Sequence, residues 1–90
     1  MKTLKNKIVP ILLKYKVKKA SLFGSYAKGD YNAESDVDIL FQPPQDMGLE
    51  VVSLKRELEN SLKKKVDLVS FNGISKYLKK YILTNQVKLL

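Results

Sequence analysis

The apolar positions of this chain follow two rhythms, one helical and one extended. Leu4, Ile8, Ile11, Leu12 and Tyr15 recur at helical spacing with lysines between them, which predicts an amphipathic helix over 3–15. Pro10 interrupts that run. Its missing amide leaves the Asn6 carbonyl without its helical donor, so a kink or a late start near residues 9–10 is expected. Val17 to Phe23 reads as a strand ending at Gly24, followed by a short helical turn at 25–28 and turn chemistry at Gly29-Asp30 and Asn32. Asp36 to Phe41 is a second strand, closed by Pro43-Pro44, neither of which offers an amide to a ladder. Val51, Leu54, Leu58 and Leu62 place one stripe along a helix over 47–64, with Glu59 and Lys63 set four apart as a charge pair. Val66 to Ser70 is a third strand and Asn72-Gly73 a turn. Ile74, Tyr77, Leu78, Tyr81 and Ile82 then predict a last helix reaching about residue 88.

This order predicts an α/β (α+β) fold in two layers, a small mixed sheet of three strands with helices packed on one face. The second and third strands are joined through an 18-residue helix, which permits a parallel crossover. The first two have a shorter connection and are expected to be antiparallel. Ninety residues correspond to a single domain over 1–90.

A hydrophobic content of 44 % is that of a folded chain. The absence of Cys and His excludes disulfides, Cys/His zinc sites and any histidine base. Pro10, Lys14 and Lys16 break the first apolar run too early for a signal peptide or a membrane span, so a cytoplasmic protein is expected. The net charge of +8 is unevenly placed: residues 1–20 hold seven Lys and no acid, whereas residues 21–46 hold one Lys and five acids. A basic body around one acidic segment suits a site that gathers divalent cations and then polyanions.

The acidic segment carries the chemistry. Side chains alternate along a strand, so Asp36 and Asp38 share a face with Cα atoms roughly 6.5–7 Å apart, close enough for their oxygens to meet one ion or an ion pair. Asp67 and Val69 share a face of the third strand. Leu22-Phe23-Gly24-Ser25 is an apolar run entering a glycine-serine turn, where an anion is favoured at the start of a short helix. Gly-Ser alone and Asp-x-Asp alone are weak signals. At this spacing, in a chain of this length and order of elements, they are strong together.

Gly24-Ser25, Gly29, Asp36-Val37-Asp38 and the later Asp67 resemble the pattern of the nucleotidyltransferase superfamily typified by DNA polymerase beta. Within it the chain is similar to the minimal nucleotidyltransferases, small antitoxins encoded beside HEPN-domain toxins. The resemblance implies two Mg²⁺ ions and ATP as substrate. Asp36, Asp38 and Asp67 would be catalytic residues and metal ligands, while Gly24, Ser25 and Lys28 would bind nucleotide. Hard cations take oxygen donors, and a pair of them activates a hydroxyl and neutralises a leaving pyrophosphate. Arg often stands where this chain has Lys28; Arg clamps phosphate bidentately, Lys as a point charge.

The resemblance further implies transfer of AMP to a hydroxyl of a partner protein, a tyrosine of a HEPN toxin. A chain this small leaves the acceptor to be held by a second copy of itself, as a homo-oligomer, or by another protein. Two other readings stay open: an antitoxin acting by contact alone, and the catalytic subunit of a nucleotidyltransferase for small molecules or nucleic acid. A direct nucleic-acid binder fits the charge, but an aromatic-plus-basic surface is not evident along the chain.

Overall fold

Two strands from the first half of the sequence form the centre of a four-stranded sheet. The computed structural model describes residues 2–24, 29, 35–71, 80 and 86–90. In chain order the elements are α1 (Lys2–Lys14), β1 (Ala20–Phe23), β2 (Val37–Phe41), α2 (Glu50–Leu62), β3 (Val66–Ser70) and β4 (Val87–Lys88). β1 pairs antiparallel with β2 and β2 pairs parallel with β3, as the connection lengths predict. Among the described residues no helix is long and apolar enough to cross a membrane.

The helices bury their stripes on one face of the sheet. Ile8 and Leu12 of α1 and Leu54, Leu58 and Leu62 of α2 join Ala20, Leu22, Val37, Ile39, Phe41 and Val66 in one cluster. Removing these side chains from water is the main favourable term, at about 1.5–3 kcal/mol for each large one. The opposite face carries Asp38 and Leu40. It is not bare, since Leu40 is fully buried and Ser21, its partner on β1, nearly so.

Polar contacts join the helices to each other and to the sheet. The Lys14 Nζ and the Tyr15 hydroxyl both donate to the Glu57 carboxylate at 3.1 Å, tying the end of α1 to α2. Glu59 departs from its expected pairing with Lys63: its carboxylate accepts the Val66 N–H at 3.0 Å. The physical reason is the helix stop. Lys63 turns left-handed (φ 58°) to donate its own N–H to the Glu59 carbonyl, and the chain folds straight back into β3.

Two further expectations need correction. α1 does not start late; it runs from Lys2 through Pro10. Proline removes only one ladder bond, and Ile8 and Leu12, both fully buried, hold the helix to the core on either side of it. The sheet has four strands rather than three, because Val87 and Lys88, expected to end a helix, pair antiparallel with Leu22 and Ser21. The free edge of β1 offers unpaired backbone groups, and Leu89 then enters the core, 4 % exposed. Of the expected last helix, Lys80 is helical, and the tyrosines at 77 and 81 lie outside the described residues.

Candidate active site

β2 delivers the first carboxylates. Val37 and Ile39 point into the core, so the alternation of the strand turns Asp38 to the opposite face, with Asp36 just ahead of the strand on the same side. Asp36 is exposed and Asp38 half-buried. β3 delivers the third. The parallel register sets Asp67 directly beside Asp38, just as it sets Val66 beside Val37 and Leu68 beside Ile39. Residues 29 apart in sequence thus stand side by side because two parallel strands are in register.

The consequence is electrostatic. Burial pushes the Asp38 carboxyl up from the usual carboxylate range to about 6, aided by the charges of Asp67 and Asp36 and by a hydrogen bond shared with Asp67. Among the described residues no three carboxylate, imidazole or thiol side chains are drawn together as a ready-made metal cage. The donor set is nonetheless that of a hard cation: oxygen only, negative, and repelling itself across adjacent strands.

Gly24 completes the described part of the site. The antiparallel register places Phe23 opposite Asp38, so Gly24 leaves β1 beside the carboxylate. It has φ +71°, and a β-carbon built there would collide with the Asp38 Oδ2 and lie 3.3 Å from its Cγ. The sequence places this glycine only among the nucleotide-binding residues and does not reveal that it makes room for Asp38. The signal was available in the antiparallel pairing of β1 with β2, which brings the end of one strand to the start of the other. Gly29 (φ +84°) has nothing within 4 Å of its would-be β-carbon. Ser25 and Lys28, predicted to bind nucleotide, lie outside the described residues.

A small mixed sheet that carries paired carboxylates at the mouth of a glycine turn belongs to proteins that transfer phosphate-linked groups. The chain is a member of the polymerase beta nucleotidyltransferase family, whose model matches residues 6–90. A Methanocaldococcus jannaschii protein, named as a candidate protein adenylyltransferase, is 47 % identical over 88 residues, spanning 97 % of this chain and 95 % of its own length. The crystal structure of a toxin–antitoxin with AMP-PNP contains a chain that superposes with a TM-score of 0.82 at 29 % identity, covering 96 % of this chain and 72 % of that one. A chain from the complex of a tri-AMPylated Shewanella oneidensis HEPN toxin with its MNT antitoxin matches with a TM-score of 0.75 at 26 % identity, covering 99 % of this chain and 71 % of its own. The fold and the enzyme class expected from the motif are therefore correct: this is a nucleotidyltransferase.

Proposed function

We propose that this nucleotidyltransferase moves AMP from ATP onto a hydroxyl, that of a tyrosine, on a HEPN-type toxin for which it is the antitoxin. The observation that carries this reading is Asp38 standing abreast of Asp67 on parallel strands, with Gly24 opening space at the Asp38 carboxylate. The names of the M. jannaschii relative and of the AMPylated toxin complex support the choice of group and acceptor.

Burial, and after it the charges of Asp67 and Asp36, lift Asp38; a divalent cation relieves that repulsion, so the donor set fits Mg²⁺. Asp36, Asp38 and Asp67 would hold the two ions, with substrate phosphates supplying the remaining oxygen donors. Bound there, Mg²⁺ would supply charge neutralisation for the leaving pyrophosphate and would lower the pKa of the attacking hydroxyl. Gly24 lets the triphosphate approach the backbone, Ser25 offers hydroxyl and amide, and Lys28 adds a positive charge. In the transfer the acceptor oxygen bonds to the α-phosphorus while the bridging P–O bond to the β-phosphate breaks. Pyrophosphate leaves, and the hydroxyl proton passes to Asp67, since the chain has no histidine.

The test is intact-mass measurement of the cognate toxin after incubation with the protein, ATP and Mg²⁺. One or more adenylyl increments are expected, mapped to tyrosine by fragmentation. Asp36→Asn combined with Asp38→Asn should abolish them. A double variant that still neutralises the toxin fully would show that contact, not transfer, is the mechanism.

A further inference from the structure

At the end of the sheet away from Asp38, the segment entering β1 and the segment leaving β2 run side by side. The Gln42 N–H donates to the Lys19 carbonyl at 2.9 Å, and buried Val17 donates to the Leu12 carbonyl at 3.0 Å, so both segments are anchored. A recess of about 360 Å³ lies there, lined by Lys16, Lys18, Gln42, Gln45 and the two prolines 43 and 44, with no carboxylate among its walls. A second recess of about 220 Å³ adjoins it, sharing Lys16 and Pro44 and adding Lys14, Tyr15, Asp46, Met47 and Glu50. Lys16 and Lys18 are exposed, and neither is held in an ion pair among the described residues, whereas nearby Lys14 is taken by Glu57.

We propose that these joined recesses bind a segment of single-stranded nucleic acid, a phosphodiester at Lys16 and Lys18 and a base against Tyr15 and Met47. Two exposed lysines on a recess whose described lining holds no acid form an anion site, and the Gln42 and Gln45 carboxamides add neutral donors. The adjoining recess decides which anion. Its aromatic and thioether walls suit the flat face of a base. Its carboxylates, Asp46 and Glu50 (the latter also accepting the Gly48 N–H at 2.8 Å), can accept hydrogen bonds from the exocyclic amine of cytosine or adenine, a donor that acidic side chains lack. The proline pair stiffens the wall, because fixed backbone angles leave little to be ordered on binding. The site is separate from the transfer reaction: Asp38 and Gln42 are four residues apart on an extended strand, roughly 13 Å. It therefore stands or falls independently of the proposed adenylyl transfer.

The test is fluorescence anisotropy of a dye-labelled oligocytidine titrated with the full chain, without ATP, over a range of salt. Saturable binding is expected. Lys16→Ala with Lys18→Ala should weaken it by roughly tenfold and lower the log–log salt slope by about 0.7, the value for one single-strand phosphate contact. Lys5→Ala with Lys7→Ala, which removes the same charge from exposed positions on α1, should change affinity by no more than about twofold. Circular dichroism of each variant confirms that the fold is intact. Equal weakening by the two double variants would overturn the proposal in favour of diffuse attraction. It would also be overturned by absence of saturable binding, by displacement with inorganic phosphate at matched ionic strength, or by equal competition from polyglutamate.

Discussion

Gly24 and Asp38 occupy the same space from opposite sides: the glycine has no side chain where the aspartate has its carboxylate. The two residues are brought together by the antiparallel register of β1 on β2, which sets Phe23 against Asp38. Gly24 also sits at φ +71°, where a β-carbon is strained whatever the surrounding space. Gly24→Ala should therefore cost about 1–2 kcal/mol of stability, the usual penalty for a left-handed residue. Its effect on transfer should be larger, roughly a hundredfold, because the carboxylate must shift to make room and misplacement of about 1 Å carries that cost. Thermal melts beside initial rates of adenylyl transfer check both expectations.

Asp38 should give the metal-free protein an unusual pH dependence. Its folded-state carboxyl titrates at about 6, above the ordinary 3.8, so the folded state holds that proton more tightly than the unfolded chain. The contribution is fully present below the unfolded value and is lost as pH rises through about 6. Asp38→Asn should accordingly raise the stability of the metal-free protein at pH 7. The increment is about 1 kcal/mol, because solvent around this half-exposed group screens much of the shift. Denaturant melts at pH 3 and pH 7 should show the gain at pH 7 and little at the lower value, which lies below the unfolded-state titration.

Transfer activity should depend on pH in the opposite sense. If Asp38 holds Mg²⁺ as proposed, only its deprotonated form would do so, and activity should rise with pH through the range near 6. Raising the Mg²⁺ concentration should move the midpoint of that rise lower, because the metal competes with the proton for the same oxygens. Rates measured at several Mg²⁺ concentrations report the shift, and chelation with EDTA should abolish activity.

Nucleotide should stabilise the protein mainly together with the metal. At a ligand concentration about a hundredfold above the dissociation constant, the gain is about 2.7 kcal/mol. In a domain of this size that is a rise of roughly 10–20 °C in melting temperature. ATP without Mg²⁺ should give a much smaller rise, and Asp36→Asn with Asp38→Asn should remove the difference. A melting series with a non-hydrolysable ATP analogue checks it without turnover.

Glu59 links the end of α2 to β3 through the Val66 N–H, so its removal should loosen the strand that carries Asp67. Glu59→Ala should cost about 1–2 kcal/mol, since a part-buried amide loses its acceptor. Glu59→Gln, which keeps an acceptor oxygen, should recover most of this. Hydrogen exchange at the Val66 amide should accelerate in the alanine variant.

The residues themselves determined which elements form and which chemistry is available. Helical spacing in Leu4 to Tyr15 and Val51 to Leu62, alternation through Asp36 to Phe41, and the Pro43-Pro44 stop are local patterns, so they were legible before any contact was known. The same alternation put Asp36 and Asp38 on one face. The lack of His and Cys left oxygen as the donor type. Tertiary structure decided what local pattern cannot carry. Whether Val87-Lys88 ends a helix or joins a sheet depends on the free edge of β1, more than sixty residues away. Whether Glu59 meets Lys63 or the Val66 amide depends on how sharply the chain turns after α2. Asp67 could be placed beside Asp38 only by the register of two parallel strands. The opening at Gly24 acquires its second purpose only when an antiparallel partner brings a carboxylate into it, because a close approach is a property of two segments and is written in neither alone.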